Sequence, residues 1–340
     1  MEEGTLYDVV IIGAGPAGLT AAIYTGRALL STLVLEKAVP GGQLNETDFI
    51  ENYPGFEEKV AAPELTGQMH KQAERLGAQI AIEEATGIEP IDNYYRISGT
   101  KNTFEARAVI IASGSRPREL PVEGAHRLKG RGISYCATCD GYFFQGKHVL
   151  EVGAGDSGFE EALFLTKFVQ SVGIVVRHPE GDPHALRASP IIQKRAKENP
   201  KITFLWNKVV EQVVGEDRLT SVLLKDLATG EVEEMKVDGL FVNIGHIPVT
   251  AFLDGTVDLN KDRFIVTDDR LYTNLPGVFA AGDVRVVSSR YAQAVVAAGD
   301  GAIAAIEAEK YLADQFFRKP STKDTKRRVY KGGNYVPDDQ

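Results

Sequence analysis

The chain has 340 residues, 43% of them hydrophobic and 25% charged, with a formal net charge of -9 and a pI near 5.3. That length holds two ordinary domains with core enough to fold without disulfide staples, which leaves its two cysteines open to chemistry. The acidic balance argues against nucleic-acid or anionic-membrane binding, and no apolar run nears the ~20 residues that span a bilayer, so with the acidic start Met1-Glu2-Glu3-Gly4 a soluble, cytoplasmic protein is expected.

In chain order, Tyr7-Asp8-Val9-Val10-Ile11-Ile12 suits a buried parallel strand. It runs into Gly13-Ala14-Gly15-Pro16-Ala17-Gly18, then a helix-like Leu19-Thr20-Ala21-Ala22-Ile23-Tyr24, then a strand Thr32-Leu33-Val34-Leu35 ending in Glu36. Strand, GxGxxG, helix, strand and acid in this order predict a dinucleotide fold. The glycines allow a tight turn and close approach to a pyrophosphate at the helix N-terminus, and Glu36 can accept from ribose hydroxyls. The following Pro40-Gly41-Gly42-Gln43-Leu44 and Ile50-Glu51-Asn52-Tyr53-Pro54-Gly55 read, taken alone, as turns.

A strand over 109–112 then leaves this domain through Ser113-Gly114-Ser115-Arg116-Pro117 and leads to Ser134-Tyr135-Cys136-Ala137-Thr138-Cys139-Asp140-Gly141. A CxxC pair can close a disulfide, and one thiolate can attack another protein's disulfide. Half a zinc site is the first alternative, but a tetrahedral site needs four ligands and the chain has no second CxxC or HxxxH, so no metal is expected. Two buried structural thiols are the second.

Directly afterwards, His148-Val149-Leu150-Glu151-Val152 precedes Gly153-Ala154-Gly155-Asp156-Ser157-Gly158 and a helix-like stretch from Phe159. The strand-glycine-helix unit has repeated, with Glu151 as a polar blemish in the strand. A closing strand over 236–244 and Gly245-His246-Ile247-Pro248-Val249-Thr250 return the chain to the first domain, where Gly277-Val278-Phe279-Ala280-Ala281-Gly282-Asp283 is another apolar strand. The expected fold is α/β, with two Rossmann-like three-layer domains, the second inserted into the first. The first takes 1–118 and 249–318, the second 119–248, and 319–340 is a tail. The crossings at 117–123 and 245–250 are candidate hinges.

With both fingerprints, CATCDG, GGQL, ENYPG, GHIP and GVFAAGD in this order, residues 5 to 315 resemble the low-molecular-weight thioredoxin reductases. The resemblance implies an FAD site formed by Gly13, Gly15, Pro16, Ala17, Glu36, Gly42, Gln43, Leu44, Asn52, Gly282, Asp283, Gln293 and Ala294. It further implies that Cys139 faces the flavin, that Cys136 attacks thioredoxin, and that Asp140 is the acid serving the thiolates. Asp140 could also be a plain turn residue. A homodimer and a swinging inserted domain are implied as well.

Three departures stand out. The family holds the NADPH 2'-phosphate with an arginine-rich stretch, where this chain has Val175-Val176-Arg177-His178-Pro179-Glu180-Gly181-Asp182-Pro183. One arginine and two acids weaken a phosphate site, so NADPH binding through Gly153, Gly155, Asp156, Ser157, Arg177 and His178, helped by Arg187, is uncertain and ferredoxin enters as an alternative donor. Gly158 replaces a frequent alanine, which reads as harmless, and Ala292 stands where the family has arginine. Finally, 319–340 carries Lys326-Arg327-Arg328, Tyr330 and Tyr335, and is read either as a solvated tail or as a cover over the flavin. A peroxide-reducing flavoprotein subunit and a flavin-bound redox sensor with little turnover are the competing functions. The first normally adds an N-terminal redox module, and this sequence begins at its first strand.

Overall fold

The computed structural model describes residues 5–46, 49–253 and 255–317. The chain divides into two compact units, Met1–Arg116 with Ile247–Gln340, and Pro117–His246.

The first unit is built on strand β1 (Leu6–Ile12), helix α1 (Pro16–Arg27), strand β2 (Thr32–Glu36), helix α2 (Ala62–Arg75) and strands β3 (Gln79–Ile82), β4 (Ala85–Ile91), β5 (Tyr94–Gly99) and β6 (Thr103–Ile111). They form one sheet in the order β3-β2-β1-β6-β5-β4, parallel from β3 to β6 and antiparallel beyond. Side chains alternate across a strand, so β1 feeds two cores. Val9 and Ile11 pack with Leu19, Ala22 and Phe279, while Val10 and Ile12 pack with Leu33, Ile97 and Val278. Such a strand must be apolar on both faces, which is why β1 and β2 read as continuous hydrophobic runs.

In the second unit, β7 (Ile133–Ser134) leads to a single turn α3 (Ala137–Asp140), followed by β8 (His148–Val152), α4 (Asp156–Leu165), β9 (Ser171–Val176), α5 (Pro190–Glu198), β10 (Ile202–Trp206) and β11 (Gly239–Val242). The strands form a parallel sheet in the order β7-β11-β8-β9-β10. One core holds Val149, Ile174 and Phe241 with Phe159 and Ala162 of α4. On the other, Leu150, Val175 and Leu240 meet Val222 and Leu224 of an antiparallel meander, Lys208–Val214, Ser221–Asp226 and Val232–Lys236. Helix layer, sheet and meander make this a second three-layer α/β unit.

The first unit closes with β12 (Val278–Ala280), parallel to β6, and the long helix α6 (Ala294–Phe317). Helix α6 begins at Ala294, and at Gly301 it presses on α1: a Cβ there would lie 2.1 Å from Ala17 O. The closing strand of the second unit is shorter than 236–244, since Val232–Lys236 belongs to the meander. The readings made for 319–340 lie outside the described residues.

Candidate active site

The two cysteines stand at the end of β7, where the chain turns through α3. Cys136 and Cys139 are joined by a disulfide with a Cα–Cα distance of 5.3 Å. Cys136 is extended (φ -155°) and caps the turn, its Sγ accepting the Cys139 N–H at 3.2 Å. Ser134 organises what surrounds them. Its hydroxyl donates to Asp140 Oδ2 at 2.6 Å and accepts the Cys136 N–H at 3.1 Å. Asp140 therefore sits beside the sulfurs on a fixed hydroxyl, and its side chain makes no cap bond to the turn Gly141–Phe144 that follows. That turn exposes two aromatics, Tyr142 at 56% and Phe143 at 50%.

Sequence reasoning missed what lies beneath the redox turn. Glu161 of α4 accepts the Ala137 N–H at 2.9 Å and an Asn243 amide hydrogen at 2.7 Å, and Asn243 also donates to Glu151 at 2.9 Å. The available signal was Glu151 itself, a carboxyl in an apolar strand.

In the first unit, Gly13 has φ +104°, and a Cβ there would meet Ala112 O at 2.4 Å. Gly15, Pro16 and Ala17 form the entry to α1, with Gly15 extended at the N-cap. Glu36, at the end of β2, accepts the Ala14 N–H at 2.8 Å and the Ala38 N–H at 3.1 Å, so the acid also ties down the glycine loop. The Gly41 N–H donates to Ala14 O at 2.8 Å, which brings in the turn Gly42–Glu46. A Cβ on Gly42 would be 3.0 Å from Gly15 Cα. Gln43 donates to Ser115 O, Leu44 packs on the core, and Asn52 donates to Gln293 Oε1 at 3.1 Å. Gly282 backs onto Ala17, and its N–H goes to Asp300 at 3.0 Å. Asp300 is paired with Arg285 at 3.1 Å. Asp283 Oδ1 is buried without a hydrogen-bond partner, and burial, with the Asp300 charge adding, pushes its carboxyl up to about 7. Ala292, in the arginine's place, has φ +44° just before α6 opens at Ala294. The structure thus gathers Gly13, Gly15, Pro16, Ala17, Glu36, Gly42, Gln43 and Gly282 around one loop. Asn52 is paired with Gln293, next to Ala294, and Asp283 follows Gly282.

In the second unit, Gly153, Gly155, Asp156 and Ser157 form the entry to α4. Asp156 accepts the Ser189 N–H at 2.7 Å, and the Arg187 N–H donates to Ala154 O at 2.8 Å, so the segment before α5 is laced to the glycine loop. Arg177 and Arg187 are exposed, while His178 is paired with Asp182 at 3.2 Å. The His184 N–H, then His178, hold the Asp182 carboxyl below the usual carboxylate range. Gly158 is not the neutral replacement its sequence suggests. A Cβ there would stand 2.5 Å from Gly153 O and 3.2 Å from Glu151 Oε1, so in this backbone the position requires glycine.

A CxxC disulfide placed just before one strand-glycine-helix unit, on a chain that carries a second such unit, defines a two-fold disulfide oxidoreductase. Residues 7–301 match the family described as pyridine nucleotide-disulphide oxidoreductase. The chain is 44% identical to a thioredoxin reductase of Bacillus subtilis over 92% of its length and 97% of the relative's. It is 45% identical to one of Mycolicibacterium smegmatis over 92% and 98%. The crystal structure of thioredoxin reductase from Streptococcus pyogenes MGAS5005 superposes with a TM-score of 0.84 at 40% identity, covering 91% of this chain and 99% of that one. The chain belongs to the thioredoxin reductases of the pyridine nucleotide-disulphide oxidoreductase family and is a flavoprotein disulfide oxidoreductase.

Proposed function

We propose that the chain is an FAD-dependent enzyme that reduces the disulfide of thioredoxin, working as a homodimer in the cytoplasm. The observation that carries this is the Cys136–Cys139 disulfide held against Asp140 through Ser134. The first unit fits FAD: its glycine loop is closed to a Cβ at Gly13 and Gly18, Glu36 ends β2, and Asp283 Oδ1 is a buried acceptor with nothing to accept from. Gly13, Gly15, Pro16, Ala17 and Glu36 would hold the pyrophosphate and ribose, Gly282 and Asp283 the ribityl chain, and Gly42, Gln43, Leu44, Asn52, Gln293 and Ala294 the remainder. FAD bound there supplies the two electrons that open the disulfide.

The protein's own groups do the rest. Asp140, oriented by Ser134, delivers a proton to the thiolate released as the disulfide opens. Cys136 then attacks the thioredoxin disulfide, and Cys139 resolves the mixed disulfide. Exposed Tyr142 and Phe143 offer an apolar docking surface next to the sulfurs.

For the electron donor, the His178–Asp182 pair favours a reading other than efficient NADPH use. A 2'-phosphate would meet a histidine already bound to a carboxylate, with Arg177 beside it and Arg187 on the segment laced to the glycine loop. A protein donor such as a ferredoxin is then the second reading. The test is anaerobic mixing of the purified flavoprotein with NADPH or with reduced ferredoxin, followed by turnover with thioredoxin. Flavin bleaching and dithiol formation in thioredoxin are expected. Bleaching without thioredoxin reduction would instead mean a sensor.

A further inference from the structure

Glu151 lies in β8 and is fully buried. Its Oε1 accepts from Asn243, and its Oε2 has no hydrogen-bond partner. The same Asn243 nitrogen donates to Glu161 Oε2, which also accepts the N–H of Ala137, the residue directly after Cys136. A polar chain therefore runs from the middle of the second sheet to the redox turn. Gly158 makes room for it.

Two carboxyls sharing one amide, one fully buried and one partly buried, do not both ionise, because each charge opposes the other and desolvation opposes both. Burial pushes both acids up, Glu161 adding to the effect on Glu151 and Asp140 to that on Glu161. Glu151, enclosed and with one donor, keeps its proton. Glu161, with two donors on one oxygen, takes the charge.

We propose that Glu161, tied through Asn243 to Glu151, is a positioning residue for the disulfide chemistry: it clamps the redox turn at Ala137, and its negative charge sets how readily Cys136 ionises. The titratable groups acting on this cluster are Glu151 from β8, which keeps its proton, Glu161 from α4, which carries the charge, and Asp140 from α3, with neutral Asn243 between the first two. A carboxylate hydrogen-bonded to the backbone N–H directly after a thiol's own residue disfavours the thiolate, so the reduced enzyme holds Cys136 back at low pH and releases it as pH rises. The inference rests on the disulfide oxidoreductase class and not on the identity of the donor.

The experiment is the rate of iodoacetamide alkylation of Cys136 in the reduced holoenzyme from pH 5.5 to 9, with the labelled cysteine located by mass spectrometry. In Glu161→Gln the profile should move to lower pH, with labelling at pH 6.5 rising about three- to tenfold, as loss of one neighbouring charge predicts. In Glu151→Gln, where an amide replaces an uncharged acid, the profile should stay with the wild type. Asn243→Ala, which removes a donor from Glu161 and so lowers its charge, should shift in the same direction as Glu161→Gln. It decides the matter if Glu161→Gln fails to retain flavin. A Glu161→Gln profile that overlays the wild type, or a Glu151→Gln profile displaced as far as that of Glu161→Gln, overturns the proposal.

Discussion

Ser134 joins Asp140 to Cys136: its hydroxyl hydrogen goes to Asp140 Oδ2 at 2.6 Å, and its oxygen takes the Cys136 N–H at 3.1 Å. The acid is thus held beside the sulfurs by a buried side chain. Asp140→Asn keeps the shape but has no proton to give, and should lower the rate of thioredoxin reduction about 100-fold, within the ordinary range for a general acid. Ser134→Ala should cost less, about tenfold, since it misplaces Asp140 without removing it. Turnover with thioredoxin, started from the enzyme with its Cys136–Cys139 disulfide intact so that the disulfide-opening step is included, measures both. Equal loss in the two variants would mean that Ser134 holds the turn and Asp140 does not donate.

The tightest packing in the first unit is at Gly18, where a Cβ would fall 1.8 Å from Gly13 O and 3.4 Å from Ile11. The Gly13 carbonyl cannot retreat without moving the loop off β1. Gly18→Ala should therefore cost about 2–4 kcal/mol of stability and release flavin. Thermal unfolding together with flavin absorbance after gel filtration tests this. Gly55→Ala is the control for a glycine with open space but φ +108°, and should lose stability with flavin retained.

Asp283 gives the first unit a pH dependence. Its carboxyl titrates near 7 in the folded chain against 3.8 as the ordinary value, so the folded state binds the proton more tightly. The stability that this proton confers is complete below about pH 4 and is lost as pH rises through about 7, with a ceiling of about 4 kcal/mol. Flavin-free protein should unfold at a lower temperature at pH 8 than at pH 5, and Asp283→Asn should flatten the difference. Bound FAD would do the same in the wild type by giving the Asp283 carboxylate the hydrogen-bond donor it lacks. A slope that survives in the flavin-free Asp283→Asn variant would assign it to another group.

Both glycine loops were legible because the physics there is local: a strand must end, a backbone must turn with φ positive at Gly13, and a helix must begin at Pro16. The redox pair was equally legible, as two cysteines in a chain with no other. The meander from Lys208 to Lys236 was not, because its strands cover only one face and bury few residues of a recognisable period. Glu161 and Asn243 were hidden for a different reason. Each is an ordinary residue in its own segment, and only the approach of α4 to the redox turn and to the end of β11 bonds Glu161 to both Ala137 and Asn243. Gly158 was misread because how closely α4 approaches the Gly153 carbonyl and Glu151 is set by the folded backbone, and the glycine pattern alone does not say whether an alanine would fit.

The donor question turns on Asp182. Its carboxylate lies 3.2 Å from His178 Nδ1, a contact that occupies the imidazole and puts a negative charge beside the residues proposed to meet a 2'-phosphate. Asp182→Ala removes that charge and leaves His178 and Arg177 to face the phosphate, so the KM for NADPH should fall about three- to tenfold. The variant's KM for NADH, which has no phosphate at that position, should change little, and reduction by ferredoxin should not change. The pair of KM values separates an electrostatic block from a lost binding surface. A fall of equal size for NADPH and NADH would mean that Asp182 shapes the loop, whereas no change in either, with ferredoxin still active, would mean that the second glycine fold serves mainly to carry Cys136 and Cys139.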